Sequence, residues 1–100
     1  MKKISLPEIL IFDWDKGNLE HIKKHDVVYN ECEDVFYNEP IFFEDKKHFE
    51  KEERFLAYGV SNENRLLIVV FTIRNNKLRV LSSRNQNKKE RAIYDTNKNT

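Results

Sequence analysis

Arg79 and Arg84 stand in the stretch "KLRVLSSRNQNKKERAIYD" (77–95), where a strand-like pattern gives way to a helix-like one. Alternation puts Leu78 and Val80 on one strand face and Lys77, Arg79 and Leu81 on the other. Arg84 falls just past the strand end. The helix start that follows offers backbone N–H groups and a positive dipole end, both suited to phosphate. Lys88, Lys89 and Arg91 add charge there, Arg54 and Arg65 each open another strand, and Glu53 is the carboxylate nearest Arg54. Such a set suits RNA cleavage without a metal. A base takes the 2′-OH proton, a cation stabilises the phosphorane, and an acid protonates the leaving 5′ oxygen. Arginine fits the second role because its planar fork matches phosphate oxygens, and a His or Glu fits the first or third. Residue types alone leave another reading open, in which these arginines form surface pairs with nearby acids.

Other chemistries are poorly served. His21 and His25 are four apart and share a helical face, a spacing two zinc ligands can use. No Glu follows His21 as a general base, no third ligand is placed by sequence, and His48 lies off in a polar connection. No metal and no other cofactor is expected. There is neither a Gly-rich phosphate loop nor a Gly-x-Ser-x-Gly elbow. Cys32, the single cysteine, forms no internal disulfide and fits a small core position in a helical pattern.

Charge is unevenly spread. Residues 1–73 carry 10 Lys+Arg against 15 Asp+Glu, whereas residues 74–100 carry 8 against 2. The basic last quarter suits phosphate or an acidic partner. The longest apolar run, Leu66 to Ile73, is too short to span a membrane. With no signal-peptide pattern, a cytoplasmic location is expected.

These residues need elements to position them. A hundred residues predict one domain over 1–100. "EILIFDWD" reads as a first strand, after which Asp15 caps a helix over "KGNLEHIKKH" with Leu19 and Ile22 on one face. "NECEDVFYNEP" predicts a second helix burying Cys32, Val35 and Phe36 and leaving at Pro40. The period then switches. "IFFED", "RFLAYGV", "RLLIVVFTI" and "KLRVLSS" read as strands, with "KKHFEKEE" a polar loop and "SNEN" and "RNN" as turns. The last three form an antiparallel meander. Asn87 and Glu90 have capping-box spacing for a final helix that docks through Ile93 and Tyr94, with "TNKNT" fraying. The order β-α-α-β-β-β-β-α, with helices on one face of a mostly antiparallel sheet, predicts an α+β domain.

The ordered set "FDWDKGNLEHIKKHDV", "VFYN", "EERFLAYG", "RLLIVVFTIRNNKLRVLSSR" and "NKKERAIYD" resembles the BrnT family of type II toxins, within the RelE/ParE-like group. The resemblance spans residues 9–95 and implies a RelE-like fold and an endoribonuclease that arrests translation. It also implies a DNA-binding, BrnA-like cognate antitoxin that forms a heteromeric complex with the toxin and brings it to operator DNA. The family's Lys-His pair falls on Lys24 and His25, its Glu-Glu-Arg on Glu52, Glu53 and Arg54, its strand arginine on Arg79, and its Ser-Ala-Arg arginine on Arg84. Its closing Glu-Arg…Tyr falls on Glu90, Arg91 and Tyr94. The residues and the resemblance together make Arg79, Arg84, His25, Glu53 and Arg54 the candidate catalytic residues, and Lys24, Arg65, Lys88, Lys89 and Arg91 the candidate RNA contacts. Where the family usually has Gly after Lys-His, this chain has Asp26, which tolerates a left-handed helix exit less well than Gly but can adopt it. Two other readings share the fold: a non-catalytic module binding antitoxin or DNA, and a gyrase-directed toxin.

Overall fold

The computed structural model describes residues 3–4, 11–46 and 52–98. The elements run β1 (Lys3–Ile4), α1 (Lys16–Lys23), α2 (Tyr29–Tyr37), β2 (Ile41–Glu44), β3 (Phe55–Val60), β4 (Leu66–Arg74), β5 (Lys77–Asn85) and α3 (Lys88–Lys98). The five strands form one antiparallel sheet in the order β1-β2-β3-β4-β5. The α+β class and the element order are those the sequence predicts.

The first strand is displaced from its expected place. Sheet pairing at the N-terminus is made by Lys3–Ile4 against β2. Of "EILIFDWD", residues 8–10 lie outside the described residues, and Phe12 makes only an isolated parallel bridge to Leu78. Leu78 donates to the Ile11 carbonyl at 2.8 Å, and Asp13 donates to the Leu78 carbonyl at 2.8 Å. The segment thus seals part of the outer edge of β5 without extending the sheet. Much of the expected polar loop, with His48, is also outside the described residues.

Both sheet faces are covered, which corrects the expectation that all helices share one. Ile22 and Val27 around α1, and Cys32, Val35 and Phe36 of α2, pack on Phe55, Ala57, Leu67, Val69, Phe71, Leu78 and Val80. Tyr94 and Ile93 of α3 pack on Ile41, Phe43, Tyr58 and Ile68. Tyr58 and Ile68 have the opposite strand parity to Ala57 and Leu67, so α3 lies on the second face. Only a strand with both faces buried can be as continuously apolar as β4. α2 is keyed by the Phe36–Phe71 ring pair at 5.1 Å and by Gly59, where an added Cβ would meet Val35 Cγ1 at 2.8 Å.

The ends of α1 follow from its sequence. Asp15 Oδ1 accepts from the Asn18 backbone and Asn18 Oδ1 accepts from the Asp15 backbone, a reciprocal cap. Buried Asn18 also donates to the carbonyls of Asp13 and Val80, fixing this end of the helix to β5. At the other end Asp26 takes φ +57°, with Asp26 N–H on the Lys23 carbonyl and Val27 N–H on the Ile22 carbonyl. That is a Schellman closure with Ile22 and Val27 as its buried contact, and Asp26 supplies the left-handed residue. The final helix has its predicted cap from Asn87 and Glu90, but it continues to Lys98 where fraying is expected.

Candidate active site

β4 and β5 are joined by Asn75 and Asn76 at φ 52° and 64°, the paired positive values a type I′ hairpin requires. Its register sets Arg74 opposite Lys77 and Thr72 opposite Arg79. Facing residues share a side, so Arg74 and Arg79 are diagonal neighbours on the second face. Further along, the register shifts between Val70 and Phe71: Phe71 faces Val80 but Val70 faces Ser82. Leu81 is therefore an extra residue in β5, a bulge. Strict alternation would put Arg79 and Arg84, five apart, on opposite faces. The bulge brings them onto the same one, opposite Thr72 and Ile68 respectively. Four β4 residues separate those partners, about 13 Å at ~3.3 Å per residue.

Each of these arginines meets a carboxylate in a two-pronged contact. Arg79 binds Asp15 at 2.9 and 3.1 Å and lies 3.6 Å from Asp13. Arg74 binds Glu52 at 2.6 and 2.8 Å. Arg84 binds Glu90 at 2.7 and 2.8 Å and the Asn85 carbonyl at 3.1 Å. The hydrogen bonds to Arg79 and Arg74 hold Asp15 and Glu52 below the usual carboxylate range, and that to Arg84 does the same for Glu90. The same contacts raise all three arginines, so their charge is permanent. Glu52 also feels the charges of Arg54 and Arg79. Arg54 differs from its neighbours, for its Nε is buried without a hydrogen-bond partner.

The sequence-derived residues thus fall into groups. Arg54 and Arg79 both act on the charge of Glu52. Arg84 sits with Glu90 in the α3 half of the face, beside exposed Lys88, Lys89 and Arg91. Lys24 and His25 lie at the far end of α1, ten residues from Asp15 and so on the order of 15 Å along the helix axis. The side chain of Glu53 is exposed, and its carbonyl accepts from Thr72 Oγ1 at 2.6 Å. Glu52, not Glu53, meets the arginines. Arg65 is committed internally: it donates to Asn85 Oδ1, to both Glu31 oxygens, and to the carbonyls of His25 and Asp26. Cys32 is buried, and that burial pushes its thiol up to about 12, as suits a core residue.

Asp13, Asp15, Glu52 and Arg74 were not singled out as site residues by sequence reasoning. The signal for Arg74 was present. With a two-residue turn at Asn75–Asn76, Thr72 must face Arg79 and Arg74 must share its side. Among the described residues no group of three or more His, Cys, Asp or Glu is placed to hold a metal ion, and no helix is long and apolar enough to cross a membrane.

A small α+β domain with forked cations clustered on a half-open sheet face is built to meet a multiply charged oxyanion. Comparison makes the class specific. The chain belongs to the family described as ribonuclease toxin, BrnT, of type II toxin–antitoxin systems, whose model matches residues 14–90. That span includes Arg54, Arg74, Arg79 and Arg84. Membership brings with it an antitoxin partner. No curated protein matches the chain.

Proposed function

We propose that the chain is a metal-independent endoribonuclease that cuts RNA internally and so arrests translation in the cytoplasm. The observation that carries this reading is the gathering of Arg54, Arg74 and Arg79 with Asp13, Asp15 and Glu52 on one half-face. Phosphate-binding cations and proton-accepting carboxylates are there side by side. Arg79 and Arg54 hold the scissile phosphate, and their positive charge stabilises the phosphorane where a metal otherwise would. Glu52, ionised at neutral pH, takes the proton of the 2′-OH as that oxygen attacks phosphorus. The P–O5′ bond breaks, leaving a 2′,3′-cyclic phosphate, and the leaving 5′ oxygen takes its proton from water. Arg84, Lys88, Lys89 and Arg91 bind the flanking RNA, with Lys24 and His25 further along. The partner in this reading is a DNA-binding, BrnA-like antitoxin through which the complex reaches operator DNA.

One observation favours a non-catalytic alternative: Arg74, Arg79 and Arg84 are all paired with carboxylates of their own chain. Incubating purified protein with RNA in EDTA separates the two. The enzyme reading expects cleavage to cyclic-phosphate ends, with Arg79→Ala and Arg54→Ala each slower by about 10²–10³-fold at native circular dichroism. Intact RNA, or undiminished cleavage by the Arg54→Ala/Arg79→Ala double variant, defeats it.

A further inference from the structure

The flank of α2 carries the opposite chemistry to the arginines. From Asp26 to Asp45 the chain has seven Asp and Glu and no Lys or Arg. On α2, Tyr29, Glu33 and Tyr37 are spaced four apart and line one flank. The 11–14 segment lies against that flank. Trp14 meets Tyr29 at 6.1 Å edge to face, and its Nε1 donates to Glu33 at 2.8 Å. Phe12 meets Tyr37 at 6.2 Å. The result is a strip of four aromatic rings whose outer members are open: Tyr29 is 52% exposed and Tyr37 65%, with Val28 and Ile11 beside them at 52% and 56%. Contiguous apolar surface of this kind, rimmed by polar groups, marks an interaction site. Exposed tyrosine is also well suited to anchor a partner.

Charge selects the occupant. A polyanion is repelled by Glu33 and the other acids of α2 and its exit, Asp34 and Glu39. A second copy in a two-fold contact would set acid against acid. A second copy presenting its basic face would give a head-to-tail contact that need not close. A segment bearing Lys and Arg matches the strip on both counts, pairing with the carboxylates and laying its cations on the ring faces. We infer that the aromatic, acidic strip formed by Phe12, Trp14, Tyr29 and Tyr37 is the docking surface for a basic segment of the antitoxin. The inference rests on family membership and not on the catalytic reading. It places the antitoxin contact on the α2 flank and not on the arginines themselves.

The antitoxin encoded with this chain, titrated calorimetrically, provides the test. Tyr29→Ser/Tyr37→Ser is expected to weaken binding tenfold or more. Glu39→Lys, which disturbs no ring, is expected to weaken it several-fold. Wild-type affinity is expected to fall as NaCl rises from 0.05 to 0.5 M. RNA cleavage by the free variants is expected to stay at the wild-type rate, so a failure of the catalytic reading shows separately, as a wild type that does not cut. Binding within twofold of wild type in both variants overturns the inference. So does loss of antitoxin binding on Arg74→Glu with the tyrosines intact, or self-association of the free chain that Tyr29→Ser/Tyr37→Ser abolishes.

Discussion

Replacing Arg65 separates an internal tie from an RNA contact. Its guanidinium spans Asn85 Oδ1 at 2.8 Å, the Asp26 carbonyl at 2.7 Å, the Glu31 carboxylate at 3.0 and 3.2 Å, and the His25 carbonyl at 3.3 Å. It fastens the turn between α1 and α2 to the end of β5. The side chains of Arg65 and Glu31 are 26% and 17% exposed, so water screens the pair only in part. A hydrogen bond to a charged group contributes about 1.5–3 kcal/mol, and removing one partner leaves the other to be rehydrated. The His25 and Asp26 carbonyls belong to exposed residues and recover water on truncation. Taking only the Glu31 contact at full weight, Arg65→Ala is expected to cost about 2 kcal/mol. For a domain of this size that lowers Tm by roughly 8–16 °C. Arg65→Lys keeps a charge for Glu31 but cannot fork to the other acceptors, and is expected to lose about half as much. Urea denaturation followed by circular dichroism measures both. A loss below about 0.5 kcal/mol for Arg65→Ala would refute the tie, since surface changes stay within that bound. RNA supplies an independent check. Each phosphate contact to a single strand contributes about 0.7 to the slope of log affinity on log salt. Arg65→Lys and Arg65→Ala are expected to leave that slope unchanged, and a drop of one such step on Arg65→Ala would return the residue to the RNA surface.

Two further outcomes follow from packing and from linked titration. Gly59→Ala drives a methyl to 2.8 Å from Val35 Cγ1 and is expected to destabilise by about 1–3 kcal/mol. Combining it with Val35→Ala should cost less than the two changes added, and strict additivity in denaturation midpoints would show that the clash is not the cause. Glu90 and Glu52 have folded pKa values below the ordinary 4.5, and Asp15 below 3.8, chiefly through their arginine hydrogen bonds. Their contribution is complete above those ordinary values and lost as pH falls through the lower folded ones. Burial raises Cys32 from 9.0 to about 12, so its contribution is intact below about pH 9 and lost as pH rises toward 12. Urea titrations at stepped pH are expected to show both limbs, with Glu90→Gln flattening the acid one and Cys32→Ala the alkaline one.

The sequence is most informative where a signal is local. Asp15, Asn87 and Glu90 cap as their types and spacings require, because a cap needs only a few residues. The Cys32, Val35 and Phe36 stripe was readable for the same reason. The side of the sheet taken by α3 was not. Its modest apolar surface, Ile93 and Tyr94, suits either face, and what decides is that Tyr58 and Ile68 would otherwise lie bare. Nor was the first strand, since Ile11 and Phe12 have strand composition yet meet β5 through a single bridge, an arrangement fixed by tertiary contact alone.

The arginine face shows where reading by alternation stops. Period two, applied to "KLRVLSSR", sends Arg79 and Arg84 to opposite sides, and no residue in the run announces a bulge. Leu81 becomes the extra residue because β4 has its own register to keep: Phe71 must fill the first face against Phe36 and Phe55, while Ile68 must meet Tyr94 on the second. β5 takes up the mismatch. The cost is one interrupted step of the ladder, and the consequence is that two arginines whose β4 partners lie about 13 Å apart line the same surface. Resemblance to a family named both arginines, but only the register puts both on one side of the sheet. It also adds Arg74 as the third. A hairpin turn fixed by two asparagines and a bulge fixed by two cores therefore do what neither composition nor spacing expresses. They gather charge that was spread along β4 and β5 onto one side of the sheet.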